Sequence, residues 1–193
     1  MSLSISERAA LDLWLVGHAP LAGTYFRSVE YRYMDPDEVL SGLGTAAVGG
    51  RFAPLGTKAV YLNATDSGTG AELLARKSRL GGASQITLDK YPRIVFGVEV
   101  NLERVLDLSA GSLPLDMKDL VDRTLSPGSL ADSMEFAAVL IAAKIQGLVF
   151  PSVVGGTENL VVYVDHCSTD GLTLYNADDL VAKAKRMAAK TRP

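Results

Sequence analysis

Apolar and polar positions along this chain change period several times, and each change marks an element. Leu11, Trp14 and Leu15 recur at helical spacing. Ser4-Ile5-Ser6-Glu7 stands ahead of them as a capping box, and Gly17 stands where a left-handed stop would close the helix. From Ala22 to Val29 the alternation has period two, which predicts a strand with Tyr25 and Arg27 on one side and Phe26 and Ser28 on the other. Asp35-Pro36 starts a turn or short helix through Leu40, with proline suited to the first helical position. Lys58–Leu62 reads as a strand, Asn63 to Thr69 as a polar loop, and Glu72 as the opening of a helix that stops at Gly81-Gly82.

Downstream, Arg93–Val100 and Arg104–Leu108 read as two strands, Leu115–Arg123 as a short helix, and Ser126-Pro127-Gly128 as a turn. Asp132 or Ser133 can cap an apolar helix through Lys144, closed by Gly147. Leu148 to Phe150 is a short buried strand ending at Pro151-Ser152. Leu160–Val164 is the strongest strand signal, and Leu172–Leu174 a last short one. Ala177–Lys190 carries Asp178 and Asp179 in its first turn and ends basic, matching the helix dipole at both ends. No repeat or linker interrupts the series. The expectation is one α+β domain over residues 1–193, its core at about 20–165, with the terminal helices packed on it.

Composition narrows the function more than the fold. A net charge of −3 gives no general attraction to nucleic acid or to an anionic membrane, so any anion site must be local. For that reason the aromatic-basic cluster Tyr31-Arg32-Tyr33 is not read as an RNA platform. Apolar runs are too short for a membrane span, and Glu7 and Asp12 interrupt the only early one, which argues against a signal peptide. The single cysteine, Cys167, excludes an internal disulfide and a cysteine-based zinc cage, and two histidines do not make a metal cluster. A cytoplasmic, metal-free protein is expected.

Motifs remove further classes. Gly42-Leu43-Gly44-Thr45-Ala46-Ala47 matches G-x-G-x-x-A, but that fingerprint needs a strand before it and a helix after it. A helix-like segment precedes and Gly49-Gly50 follows, so the glycines are read as bending a loop. Neither a G-x-S-x-G elbow nor a phosphate-binding Walker loop occurs. Asp165-His166-Cys167 offers a thiol beside an imidazole, yet neighbours on an extended segment point to opposite faces. What remains is Arg27, Arg51, Tyr61, Glu72 and Ser152. Each is weak by itself, and three have a plain reading: a solvated edge charge for Arg27, a turn residue paired with a carboxylate for Arg51, a helix-start carboxylate for Glu72.

Their order and setting resemble the RES-domain proteins, toxins of bacterial toxin–antitoxin pairs. The matching stretches are Gly49-Gly50-Arg51-Phe52, Pro54-x-Gly56, Ala59-Val60-Tyr61-Leu62 and Ala71-Glu72, then Gly147 to Ser152 and Asn159 to Tyr163. Phe52 stands where many members carry Trp or Tyr, and Glu72 lacks the usual Thr-Ala lead. The resemblance implies a fold similar to ADP-ribosyltransferase toxins, with NAD as substrate in a cleft between two small sheets. It also implies cleavage of the nicotinamide–ribose bond by hydrolysis or phosphorolysis, or transfer of ADP-ribose to a protein. The implied partner is an Xre-like, DNA-binding antitoxin that blocks the cleft, with no direct nucleic-acid contact by this chain. On this reading Glu72, Arg51 and Tyr61 are catalytic, and Arg27, Arg51, Tyr61 and Ser152 bind NAD. A non-catalytic nucleotide-binding module and an enzyme acting on ADP-ribose compounds are the other classes open to the same residues.

Overall fold

Strand β3 (Arg93–Asp107) spans 15 residues and meets a neighbour along both edges. The two short strands expected here are one, because Leu102 and Glu103 continue the inward–outward alternation through the middle. A computed structural model describes residues 11–12, 14–69, 93–108, 122, 130–152 and 156–190. One edge of β3 pairs antiparallel with β1 (Ala19–Glu30), from Glu30↔Arg93 to Ala19↔Val105. The register slips between Ala19 and Leu21, at Pro20, which has no N–H for the ladder. The other edge pairs first with β6 (Leu172–Tyr175) and then, in parallel, with β4 (Gly147–Pro151).

β5 (Glu158–Tyr163) lies antiparallel between β4 and β2 (Ala59–Asn63), and β2 returns to β1 through Phe26↔Asn63. The small sheets expected from sequence are therefore joined: β1-β2-β5-β4-β3 closes on itself through β1–β3, and β6 branches from β3. The interior is filled by Val60, Leu62, Val98, Val100, Leu102, Val149, Leu160 and Val162, one set of alternate residues from four strands. The opposite residues of β2, β4 and β5 form a second cluster with Phe52 and helix α3 (Leu130–Ala142), which contributes Phe136, Ala137 and Leu140. Trp14 of the N-terminal helical residues stacks on Phe136 at 5.9 Å. A third cluster joins Val29 and Phe96 to Val39 of α1 (Pro36–Val39) and Val181 of α4 (Ala177–Lys190).

Several helix ends differ from their sequence signals. Gly17 closes the first helix by a tight Gly17 N–H to Trp14 carbonyl bond, without a left-handed backbone. Gly42-to-Ala47 is not a loop: Gly42, at φ 69°, precedes helix α2 (Leu43–Val48). Helix α1, not a strand, comes directly before it, so the dinucleotide fingerprint still fails for want of its strand. α3 is already helical at Leu130, so neither Asp132 nor Ser133 caps it; Ser133 is buried and Asp132 sits in the first turn. Its closure falls at Lys144, in the left-handed region at φ 59°, with Ile145 N–H on Leu140 O and Lys144 N–H on Ile141 O. This is a Schellman ending made without glycine, because Gly147 is needed in β4. The capping box at Ser4–Glu7, the helix at 115–123 apart from helical Asp122, and the turn at 126–128 lie outside the described residues.

These two left-handed positions respond oppositely to substitution. At Gly42 a Cβ would sit 2.7 Å from the Ala59 amide nitrogen. Gly42→Ala is expected to lose about 2 kcal/mol or more in urea unfolding, from left-handed strain plus a backbone clash. Lys144→Gly is expected to change stability by less than about 1 kcal/mol and in the stabilising direction.

Candidate functional site

Phe52 fixes the turn that carries Arg51. Gly50 and Ala53 bond to each other in both directions, N–H to carbonyl, leaving Arg51 and Phe52 at the tip. The Phe52 side chain is fully buried and lies 4.8 Å from the Phe150 ring. Its backbone is held by two tyrosine hydroxyls from adjacent strands. The Phe52 N–H donates to the Tyr61 hydroxyl at 3.0 Å, and the Tyr163 hydroxyl donates to the Phe52 carbonyl at 3.1 Å. Both tyrosines lie on the outer face of β2–β5, because Ala59↔Tyr163 and Tyr61↔Val161 are alternate register pairs. Burial first, and the neighbouring Tyr61 second, push the Tyr163 hydroxyl far above its ordinary range, so it stays a neutral donor. The turn comes so close that a Cβ on Gly50 would stand 2.6 Å from the Tyr61 hydroxyl. Arg51 is thus presented, half-buried, from a turn held by Tyr61 of β2 and Tyr163 of β5.

Arg27 arrives from the other side of the sheet. On β1 it shares the inner face with Tyr25 and Val29, and its Nη1 donates to the Tyr61 carbonyl at 3.2 Å. Among the described residues its Nε is buried with no partner. Desolvation first, and the positive charge of Arg93 second, lower its pKa to about 10. It therefore remains a guanidinium at neutral pH, in a place that disfavours its charge. Arg93 is held apart by Ser28, through Nε to Oγ at 2.7 Å and Nη2 to the carbonyl at 2.8 Å, and lies 3.7 Å from Glu30. Arg27 and the Tyr61 ring are brought together only through the Tyr61 backbone; their side chains occupy opposite faces.

Ser152 follows β4 and is 8% exposed, with its N–H on the Thr157 carbonyl at 3.0 Å. It stands at the Asn63 end of the sheet, since Asn63 and Phe150 both face Asn159, whereas Tyr61 is mid-strand, level with Val161 and Leu148. Glu72 lies outside the described residues. Residues 66–69, expected as part of a polar loop, are helical. Thr65 is their cap, its Oγ1 accepting from the Gly68 N–H at 3.0 Å.

Sequence reading missed Asn63, which gathers these pieces. Only 3% exposed, it donates through Nδ2 to Asn159 Oδ1 at 2.8 Å, and its Oδ1 accepts from the Thr65 N–H at 2.9 Å and the Thr157 hydroxyl at 3.1 Å. The available signal was an asparagine closing an apolar strand two residues before a threonine, a local side-chain-to-backbone turn. His166 and Cys167 are not paired with each other: His166 Nδ1 meets the Ile145 carbonyl at 2.8 Å, and Cys167 Sγ the Tyr163 carbonyl at 3.4 Å. Burial raises the Cys167 thiol to about 11, which makes it a poor nucleophile. Among the described residues no cluster of three or more His, Cys, Asp or Glu is placed to hold a metal. None of their helices is long and apolar enough to cross a membrane.

A family model described as RES domain matches residues 24–177, a span that contains Arg27, Arg51, Tyr61, Glu72 and Ser152. No curated protein matches the chain in sequence. The fold is similar to that of a chain in the crystal structure of the M. tuberculosis MbcT-MbcA toxin-antitoxin complex, with a TM-score of 0.74 and 19% identity. The likeness covers 94% of this chain and 100% of that one.

The tyrosine clamp on Phe52 is testable by stability alone. Tyr61→Phe strips a part-buried N–H of its acceptor and is expected to cost about 1–3 kcal/mol in chemical unfolding. Gly50→Ala, aimed at that same oxygen, should lose less stability in the Tyr61→Phe background than in the native protein, a coupling readable by a double-mutant cycle.

Proposed function

The chain belongs to the RES domain family, and from that premise we propose that it is the toxin of a toxin–antitoxin pair and acts on NAD by cleaving the nicotinamide–ribose bond. The observation that carries this reading is the family match over residues 24–177, which takes in the whole set of candidate side chains. The likeness to a chain of a toxin–antitoxin complex supports the same direction.

The chemistry follows from what the residues can do. As the C1′–N bond breaks, its electron pair leaves with nicotinamide, which departs neutral and needs no proton. Positive charge develops on the ribose, and an oxygen nucleophile (water or inorganic phosphate) forms the new bond and loses its proton. The protein must therefore bind the pyrophosphate, orient the ribose and stabilise a cation in the transition state. Arg27, with one buried N–H unpartnered among the described residues and its charge unfavourably desolvated, is suited to a phosphate oxygen. Arg51 supplies a second guanidinium from the Phe52-anchored turn. Tyr61, its hydroxyl engaged by the Phe52 amide, offers its partly exposed ring to the nucleotide and fixes the Arg51 turn. Glu72 is assigned to the ribose hydroxyls and the developing oxocarbenium, and Ser152 to a hydrogen bond on ribose or phosphate. NAD is substrate here, and the scheme requires no metal. An Xre-like antitoxin covering this end of the sheet would keep the toxin silent, and the cytoplasm is where both would meet NAD.

Purified protein freed of antitoxin is expected to release nicotinamide from NAD. Free ADP-ribose as the co-product means hydrolysis, and a phosphate-dependent phosphorylated product means phosphorolysis. Radiolabel appearing on an added protein would instead mean ADP-ribose transfer. Intact NAD under all three conditions would leave a binding module, or an enzyme of ADP-ribose compounds, in its place. Glu72→Gln is expected to reduce turnover by at least about a thousandfold with the unfolding midpoint unchanged, since a group acting on transition-state charge affects kcat above all.

A further inference from the structure

We propose that Asn63 is a positioning residue that locks the β4–β5 loop carrying Ser152 to the start of the helix that opens at Asp66. The inference rests on the reading of this end of the sheet as the NAD site. Its geometry is independent of that reading.

Asn63 terminates β2 near the point where β4 ends and β5 begins, opposite the middle of β1. Its register partners are Phe26 on β1 and Asn159 on β5, and Asn159 is in turn opposite Phe150 on β4. A buried amide needs partners for both of its ends, and Asn63 finds them on separate segments of chain. One side of the network is the helix start. Asn63 Oδ1 accepts from the Thr65 N–H at 2.9 Å and the Thr65 hydroxyl at 3.3 Å, while Thr65 Oγ1 accepts from the Gly68 N–H at 3.0 Å. The first helical turn packs so tightly on the amide that a Cβ at Gly68 would overlap Asn63 Oδ1. The other side is the loop. Asn63 Oδ1 accepts from the Thr157 hydroxyl at 3.1 Å, and the Thr157 carbonyl accepts the Ser152 N–H at 3.0 Å. One carbonyl oxygen therefore receives donors from both segments, and displacing either changes the position of the other.

The spacing matters for catalysis because groups held on two segments work only in a fixed mutual geometry. A displacement near 1 Å at such a site can cost about a hundredfold in rate. A merely structural asparagine would give a different pattern: stability and activity would fall together.

The test uses Thr157, whose hydroxyl links the loop to Asn63 among the described residues, and which is assigned no contact with substrate. Thr157→Val keeps the shape and removes the hydroxyl; Thr157→Ser keeps the hydroxyl. Thr157→Val is expected to lower kcat for NAD by about tenfold or more, with KM within about threefold and the melting temperature nearly unchanged. Thr157→Ser should restore kcat. In substrate-free protein, amide hydrogen exchange at Ser152 and at Gly68 should quicken together in Thr157→Val, although Gly68 belongs to a different segment. Unchanged kcat in Thr157→Val, failure of Thr157→Ser to restore it, or unchanged exchange at Gly68 would each overturn the proposal. If the native protein consumes no NAD, the functional reading falls, and the exchange measurement alone decides the linkage.

Discussion

The closure of β1 onto β2 is the constraint on which this structure turns. β1 is committed to β3 along nearly its whole length, from Glu30↔Arg93 to Ala19↔Val105. With β2 it shares one registered pair, Phe26↔Asn63. Sheets twist, and a ring of few strands must splay somewhere if its strands are to tilt and its interior is to be filled by side chains. Here the splay falls between β1 and β2. A side chain supplies there what backbone pairing does not: Arg27 reaches from β1 to the Tyr61 carbonyl. Two of the proposed substrate-facing residues, Arg27 and Tyr61, meet at that seam.

The seam also sets the electrostatics. A guanidinium buried among apolar residues, with like charge on Arg93 as its chief electrostatic neighbour, is disfavoured enough to lower its pKa to about 10. Among the described residues no salt bridge to Arg27 offsets that cost, which falls when an anion arrives. Arg93, itself a cation held by Ser28 and beside Glu30, adds to it. On the proposed reading, the fold keeps Arg27 in a state that a pyrophosphate improves. The overall charge of −3 does not oppose this, since at physiological salt screening confines the relevant field to about 8 Å.

Most strands were legible in the sequence because their apolar residues alternate and every face they define is buried, as in Val60, Leu62, Leu160 and Val162. Helix ends were less legible, for they depend on local hydrogen bonds that compete. Gly147 carries the stronger stop signal by composition, yet β4 claims it, and Lys144 takes the left-handed turn. Glycine spacing at Gly42 suggested a loop because α2 is only six residues long and has no buried residue, so no periodicity announces it. The candidate residues Arg27, Arg51, Tyr61 and Ser152 were identified by type and setting. That Tyr61 and Arg27 use opposite faces follows from strand parity once the β1–β2 register is known, and that register is a long-range fact. Asn63 escaped notice for a related reason. Its partners Thr157 and Asn159 lie far along the chain, and nothing in the local sequence says that they meet.

On the proposed reading, charge divides the work of the site. Arg27 and Arg51 are cations suited to the part of the substrate that is always anionic. Glu72, outside the described residues, brings a carboxylate, and a ribose that becomes cationic only as the bond breaks is a partner of the right sign for it. The two kinds of charge therefore act at different stages: the guanidinium groups favour binding, and the carboxylate favours the transition state above the bound substrate.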